Sequence, residues 1–158
     1  MIEESAVSLD VEYHGAVWNG TGYSEAARNA ILALHSAGVN LRVDPTGFSK
    51  AIISVSRSTH DADRTVISVS RREVNPALKL PQAFKELVTS LRYRRVPDDS
   101  PKIIHAPSTV YHNYAPSKRR IIGYTAWETF KMPQNWVDGC NLVDEVWIPC
   151  KHNRDVLL

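Results

Sequence analysis

Polar and apolar positions alternate from Ser8 to His14, with Leu9, Val11 and Tyr13 set against Asp10, Glu12 and His14. A period of two predicts a strand. Gly15 to Gly22 holds three glycines and Asn19, which predicts a loop. From Ser24 the period changes. Ala27, Ala30, Ile31 and Leu34 recur at helical spacing, with Glu25, Arg28 and Asn29 on the other face, and Gly38 is placed to end the helix. Asn40 to Asp44 predicts a second strand, stopped by Pro45. Strand, glycine loop, helix and strand in that order predict a right-handed parallel βαβ unit.

The middle of the chain is less regular. Ile53-Ser-Val-Ser-Arg57 and Ile67-Ser-Val-Ser-Arg71 are the same five residues, with the polar Thr59-His-Asp-Ala-Asp63 between them. They predict a hairpin around 52–70 added to the parallel sheet. Pro81 to Tyr93 predicts a helix with Phe84, Leu87, Val88 and Leu91 as its apolar stripe. Lys102–Ala106 and Arg120–Tyr124 read as short buried strands, with a polar loop through Ser117 between them. A helix over Pro133–Leu142, a strand over Glu145–Ile148 and a helix beginning after Cys150 complete the pattern. The expected class is α/β: one three-layer Rossmann-like domain over 1–158 with a mostly parallel sheet.

In such a sheet, chemistry is expected where strands end. The first candidate is Asn19-Gly-Thr-Gly-Tyr-Ser24, a glycine loop opening a helix, where backbone and helix N-terminus can meet an anion. Gly20-Thr-Gly22 supplies half of a dinucleotide fingerprint, and Asp44 stands 22 residues beyond Gly22, where a ribose-binding acid belongs. Glu25 takes the third glycine position and opposes a pyrophosphate there. No Lys-Ser or Lys-Thr follows the glycines, so the loop is not a P-loop. The second candidate is His105, at a strand end, where a neutral imidazole can accept a hydroxyl proton or bind a phosphate oxygen. The third is Gly123-Tyr-Thr-Ala-Trp-Glu-Thr129, in which Tyr124 and Trp127 offer faces for a sugar ring and Glu128 and Thr129 offer hydrogen bonds. Trp147, within an apolar strand, is expected in the core.

Composition narrows this picture modestly. The 158 residues carry a formal charge of +2, too mild for a nucleic-acid binder. The basic runs Arg92-Tyr-Arg-Arg95 and Lys118-Arg-Arg120 read first as solvated faces, and second as a patch for anionic lipid head groups or an acceptor phosphate. Cys140 and Cys150 are too few for a disulfide framework and read as reduced thiols. The first residues lack the basic end and apolar run of a signal peptide. The longest apolar run, Ala30-Ile-Leu-Ala-Leu34, is far short of the ~20 residues of a spanning helix. A soluble, cytoplasmic protein is expected.

Gly20-Thr-Gly-Tyr-Ser-Glu-Ala-Ala-Arg28, with Ala33-Leu34 and Gly38-Val39 after it, resembles the opening of glycosyltransferase family four. Ile122-Gly-Tyr-Thr-Ala-Trp-Glu-Thr129, Met132-Pro133, Trp136 and Asp144-Glu-Val-Trp-Ile-Pro149 resemble one branch of it. The resemblance implies the N-terminal, acceptor-side half of a retaining GT-B enzyme that uses a nucleotide-sugar donor and no metal or other cofactor. It implies that Gly20, Thr21, Gly22 and Tyr23 approach the donor phosphates and that His105 lines the catalytic site. Tyr124, Trp127, Glu128 and Thr129 are implied to shape the acceptor side. The segment Ile53 to Arg95 matches nothing in the family. Its paired-glutamate donor motif belongs to a C-terminal domain expected to be absent from this chain. A missing C-terminal domain or partner chain and a sugar, glycan or lipid-linked acceptor at a membrane surface are then the expected partners, and no appreciable transferase activity is expected of the chain alone. The alternatives are a stand-alone sugar- or glycan-binding module without catalysis and, below it, a dinucleotide-binding protein.

Overall fold

A computed structural model describes residues 9–45, 52–55, 67–70 and 78–157, with side chains described outside 52–55 and 67–70. Strands β1 (Asp10–Gly15) and β2 (Asn40–Asp44) flank helix α1 (Gly22–Ser36). Short strands β3 (Ile52–Val55) and β4 (Ile67–Ser70) precede helix α2 (Gln82–Arg92). Then come β5 (Lys102–His105), the 3-10 helix η1 (Ser108–Asn113), β6 (Ile121–Tyr124), α3 (Gln134–Cys140), β7 (Glu145–Trp147) and α4 (Lys151–Leu157).

Five strands form one parallel sheet in the order β2-β1-β5-β6-β7. Tyr13 pairs with Val43 on one side and Ile103 on the other, so β1 is a central strand. The expected α/β class and mostly parallel sheet are what the chain forms. The expected hairpin also exists, as β3 antiparallel to β4, but it pairs as a separate two-stranded sheet and does not extend the parallel one.

The alternation along each strand sorts side chains onto two faces. On the first, Val11, Tyr13, Leu41, Val43, Ile103 and Ile122 pack against Ala27 and Ile31 of α1 and Phe84, Val88 and Leu91 of α2. Each large aliphatic or aromatic side chain so buried is worth about 1.5–3 kcal/mol. On the second face, Ile104 and Ile121 pack against Tyr111 of η1. Helices on both faces of a parallel sheet make a single Rossmann-like three-layer unit.

The second face depends on two close approaches. A Cβ on Gly123 would lie 2.4 Å from the Tyr111 ring, and one on Gly139 would lie 2.1 Å from the Ser108 carbonyl oxygen. Only glycine lets η1 settle onto β6 and α3 onto η1.

Helix α1 starts two residues before the sequence places it. Thr21 is its N-cap, its hydroxyl accepting the Ser24 N–H at 3.3 Å. At the other end Gly38, at φ 78, closes it as expected. The stretch between β5 and β6, expected as loop, contains η1. Trp147 is 40% exposed, because β7 is the edge strand and its neighbour lies on one side only. Among the described residues no helix is long and apolar enough to cross a membrane.

Candidate functional site

The chain leaves β1 through α1 toward β2 over the first face, and leaves β5 through η1 toward β6 over the second. The adjacent strands β1 and β5 therefore part company at their carboxyl ends, the switch point where open α/β sheets take ligands. Gly15 and His105 are register partners there, and a Cβ on Gly15 would sit 3.4 Å from the Cβ of His105.

His105 is 4% exposed. Its Nδ1 lies 2.5 Å from the hydroxyl of Tyr13, two strand positions back on the neighbouring strand. The Tyr124 ring stacks on the imidazole at 4.1 Å and 25°, and the Tyr23 ring stands 5.7 Å away. Nε2 has no protein partner among the described residues. Burial lowers the His105 pKa from 6.5 to about 4, so the ring is neutral at neutral pH. Burial also pushes the Tyr13 phenol well above its ordinary range, so it keeps its proton.

The glycine loop lies beside this switch point and is itself well tied. The Asn19 side-chain oxygen accepts from the Thr21 N–H at 3.1 Å, the Thr21 hydroxyl at 2.6 Å and the Ser24 hydroxyl. Arg28 donates from the second turn of α1 to the carbonyls of Val17 and Asn19, at 3.0 and 2.9 Å. Nothing lies within 4 Å of where a Cβ on Gly20 or Gly22 would point. The amides of Gly22 and Tyr23 head the helix without an acceptor among the described residues.

Tyr23 joins this loop to the one after β6. Its hydroxyl donates to the Ala126 carbonyl at 3.0 Å, accepts from the Ala126 N–H at 3.1 Å and lies 3.1 Å from the Thr125 hydroxyl. The glycine loop, His105 and the start of the 124–129 loop thus meet in one place.

The rest of that loop is occupied with its own structure. The Trp127 indole N–H donates to the Lys131 carbonyl at 3.0 Å, and its ring packs edge-on against Trp136 at 4.7 Å. The Thr129 hydroxyl donates to the same carbonyl. The buried Asn153 amide clasps Trp127 through both its backbone N–H and carbonyl. Of the four residues expected on the acceptor side, Tyr124 stands against His105, Trp127 and Thr129 turn to Lys131, and Glu128 is exposed.

Asp44 ends β2 as a ribose-binding acid would, and its carboxylate lies 3.5 Å from Nδ1 of His14. His14 in turn donates from Nε2 to Glu12 at 2.5 Å, and Glu12 also meets Arg119 at 2.5 Å and Lys102 at 3.4 Å. The His14 hydrogen bond, with Arg119 and Lys102 behind it, holds the Glu12 carboxyl well below the usual carboxylate range despite burial. This ionic cluster occupies the second face of β1, away from the Tyr13–His105 pair.

Both basic runs reach the amino ends of the strands, one beside β2 and the other before β6. Asn40, which begins β2, bonds the Arg95 carbonyl, and Arg119 and Arg120 directly precede β6. They lie at the opposite end of the strands from His105.

Tyr13 was not singled out by the sequence, although a buried phenol on an apolar stripe must find a partner for its hydroxyl. Asn153 carried no signal, because its role depends on a loop 26 positions earlier. Comparison of the chain with protein-family models, with curated proteins and with solved structures finds no match.

Proposed function

We propose that this chain is a ligand-binding Rossmann-like domain that takes a nucleotide or sugar-bearing phosphate ester at the carboxyl ends of β1 and β5. The observation that carries this reading is the meeting of the glycine loop, the open amides of α1 and His105 at the switch point. The loop amides suit a phosphate, and the ring-walled niche around His105 suits the less charged remainder of such a ligand.

The finer reading, an acceptor-side half of a retaining nucleotide-sugar glycosyltransferase, is supported by one further contact. The two stretches that resemble that family are far apart in sequence, and Tyr23 of the first bonds Thr125 and Ala126 of the second. The dinucleotide reading has Asp44 in its favour, but Glu25 is exposed on the first turn of α1, where a pyrophosphate would approach.

Titration of the 15N-labelled chain with UDP-glucose, GDP-mannose and NAD separates these readings. The expected result is saturable movement of the Gly20, Gly22 and Tyr124 amide signals with a sugar nucleotide. A response to NAD alone favours the dinucleotide reading. No response at these positions to any of the three overturns the proposal.

A further inference from the structure

Tyr13 is 1% exposed, and among the described residues its hydroxyl has one partner, Nδ1 of His105. Two proton arrangements are available to this pair. If Nδ1 carried the hydrogen and donated it, the phenol would be left with its own O–H aimed at nothing in a dry interior, and an unmade buried donor bears its full desolvation penalty. If the phenol donates to a bare Nδ1, the phenol is satisfied. Ser100 Oγ is the one side-chain N or O atom among the described residues that is sealed from solvent without a partner, so the unpartnered Nε2 has an opening. The ring's remaining hydrogen is then on Nε2, the atom with no protein partner. A half-turn of the imidazole would replace Nδ1 by a carbon and strand the phenol again.

We infer that Tyr13 is a positioning residue that fixes His105 as the Nε2–H tautomer, so that His105 meets a ligand oxygen as a neutral hydrogen-bond donor and not as a base. The tautomer is a property of the free protein; its meeting with a ligand rests on the reading of the crevice given above. Of the two roles expected from sequence, accepting a hydroxyl proton and binding a phosphate oxygen, this arrangement suits the second. An Nε2 that already holds a proton does not take one from a hydroxyl, so the ligand group it selects is an oxygen with a lone pair to offer.

The experiment uses the full 15N-labelled chain and two-bond 1H–15N correlation of its imidazoles, with the His105→Gln spectrum assigning the His105 signals. The expected pattern is a bare Nδ1 and a protonated Nε2, with a slowly exchanging Tyr13 hydroxyl proton coupled to Nδ1. In Tyr13→Phe the single tautomer is expected to give way to a mixture. A hydrogen attached to Nδ1 in the wild type, or one unchanged tautomer in Tyr13→Phe, overturns the inference. The coupled phenolic proton is read on the wild type, so the outcome stands even if the variant does not fold. If no sugar nucleotide moves the crevice signals while the tautomer is as stated, the ligand-site reading fails and the positioning role of Tyr13 survives.

Discussion

Glu12 and His105 are buried almost equally, at 5% and 4% exposure, on opposite faces of the same sheet, yet they are held in opposite charge states. Glu12 is kept ionised by His14, Arg119 and Lys102, so its lone pairs are taken up by the protein. His105 is kept neutral by burial and meets one neutral partner, with a ring nitrogen left over. Satisfying a buried group completely makes it a piece of scaffold. Leaving one atom of it unsatisfied at the carboxyl end of a strand makes it available to something else.

Breaking the scaffold side should have the largest effect. Glu12→Leu leaves Arg119, Lys102 and His14 without their shared anion, and a loss of about 3–5 kcal/mol in urea unfolding is expected. Retention of the wild-type urea midpoint would show that the cluster does not hold the second face together.

Acid should then separate the two groups by pH window. The His105 pKa is about 4 in the folded chain against 6.5 unfolded, so between those values the unfolded chain binds more protons. Stability contributed by neutral His105 is therefore lost as pH falls from about 6.5 toward 4, by about 3 kcal/mol in total. Glu12 has its folded pKa depressed, so its contribution is present above about 4.5 and declines only below it. Urea midpoints measured from pH 7 to 3.5 should lose the upper window in His105→Gln and keep it in Glu12→Gln. An upper window that persists in His105→Gln would assign it to another group.

Tyr13→Phe should cost less, about 1 kcal/mol, the worth of a single neutral hydrogen bond. A loss as large as that of Glu12→Leu would mean that Tyr13 is scaffold as well. Smallest of all, Arg120→Ala removes an ion pair to Glu145 in which both side chains are well exposed, and no measurable change in the urea midpoint is expected.

The parts of this fold that show in the sequence are those whose burial repeats with a local period. Helix α2 is legible because Phe84, Val88 and Leu91 line one stripe and are all buried. Strand β1 is legible by alternation, but its polar set lies in the interior, because β1 is central and Glu12 and His14 find partners on β2, on β5 and before β6. Helix η1 could not be read, since its place is created by the absent side chains of Gly123 and Gly139. For the candidate site, the sequence places the glycine loop, His105 and Tyr124 at strand ends, and the structure brings them together. For Trp127 the sequence shows an aromatic residue in a loop but does not disclose that its ring packs edge-on against Trp136.

The phenol of Tyr23 ties the glycine loop to the loop after β6. The two loops are therefore held to each other by the chain's own contacts. If the proposed ligand binds between them, it has little chain to order, and its association should be limited by encounter and desolvation and not by a closing motion. In relaxation measurements the amides of residues 20–23 and 125–127 should move as one body, and a ligand should leave that shared motion almost unchanged.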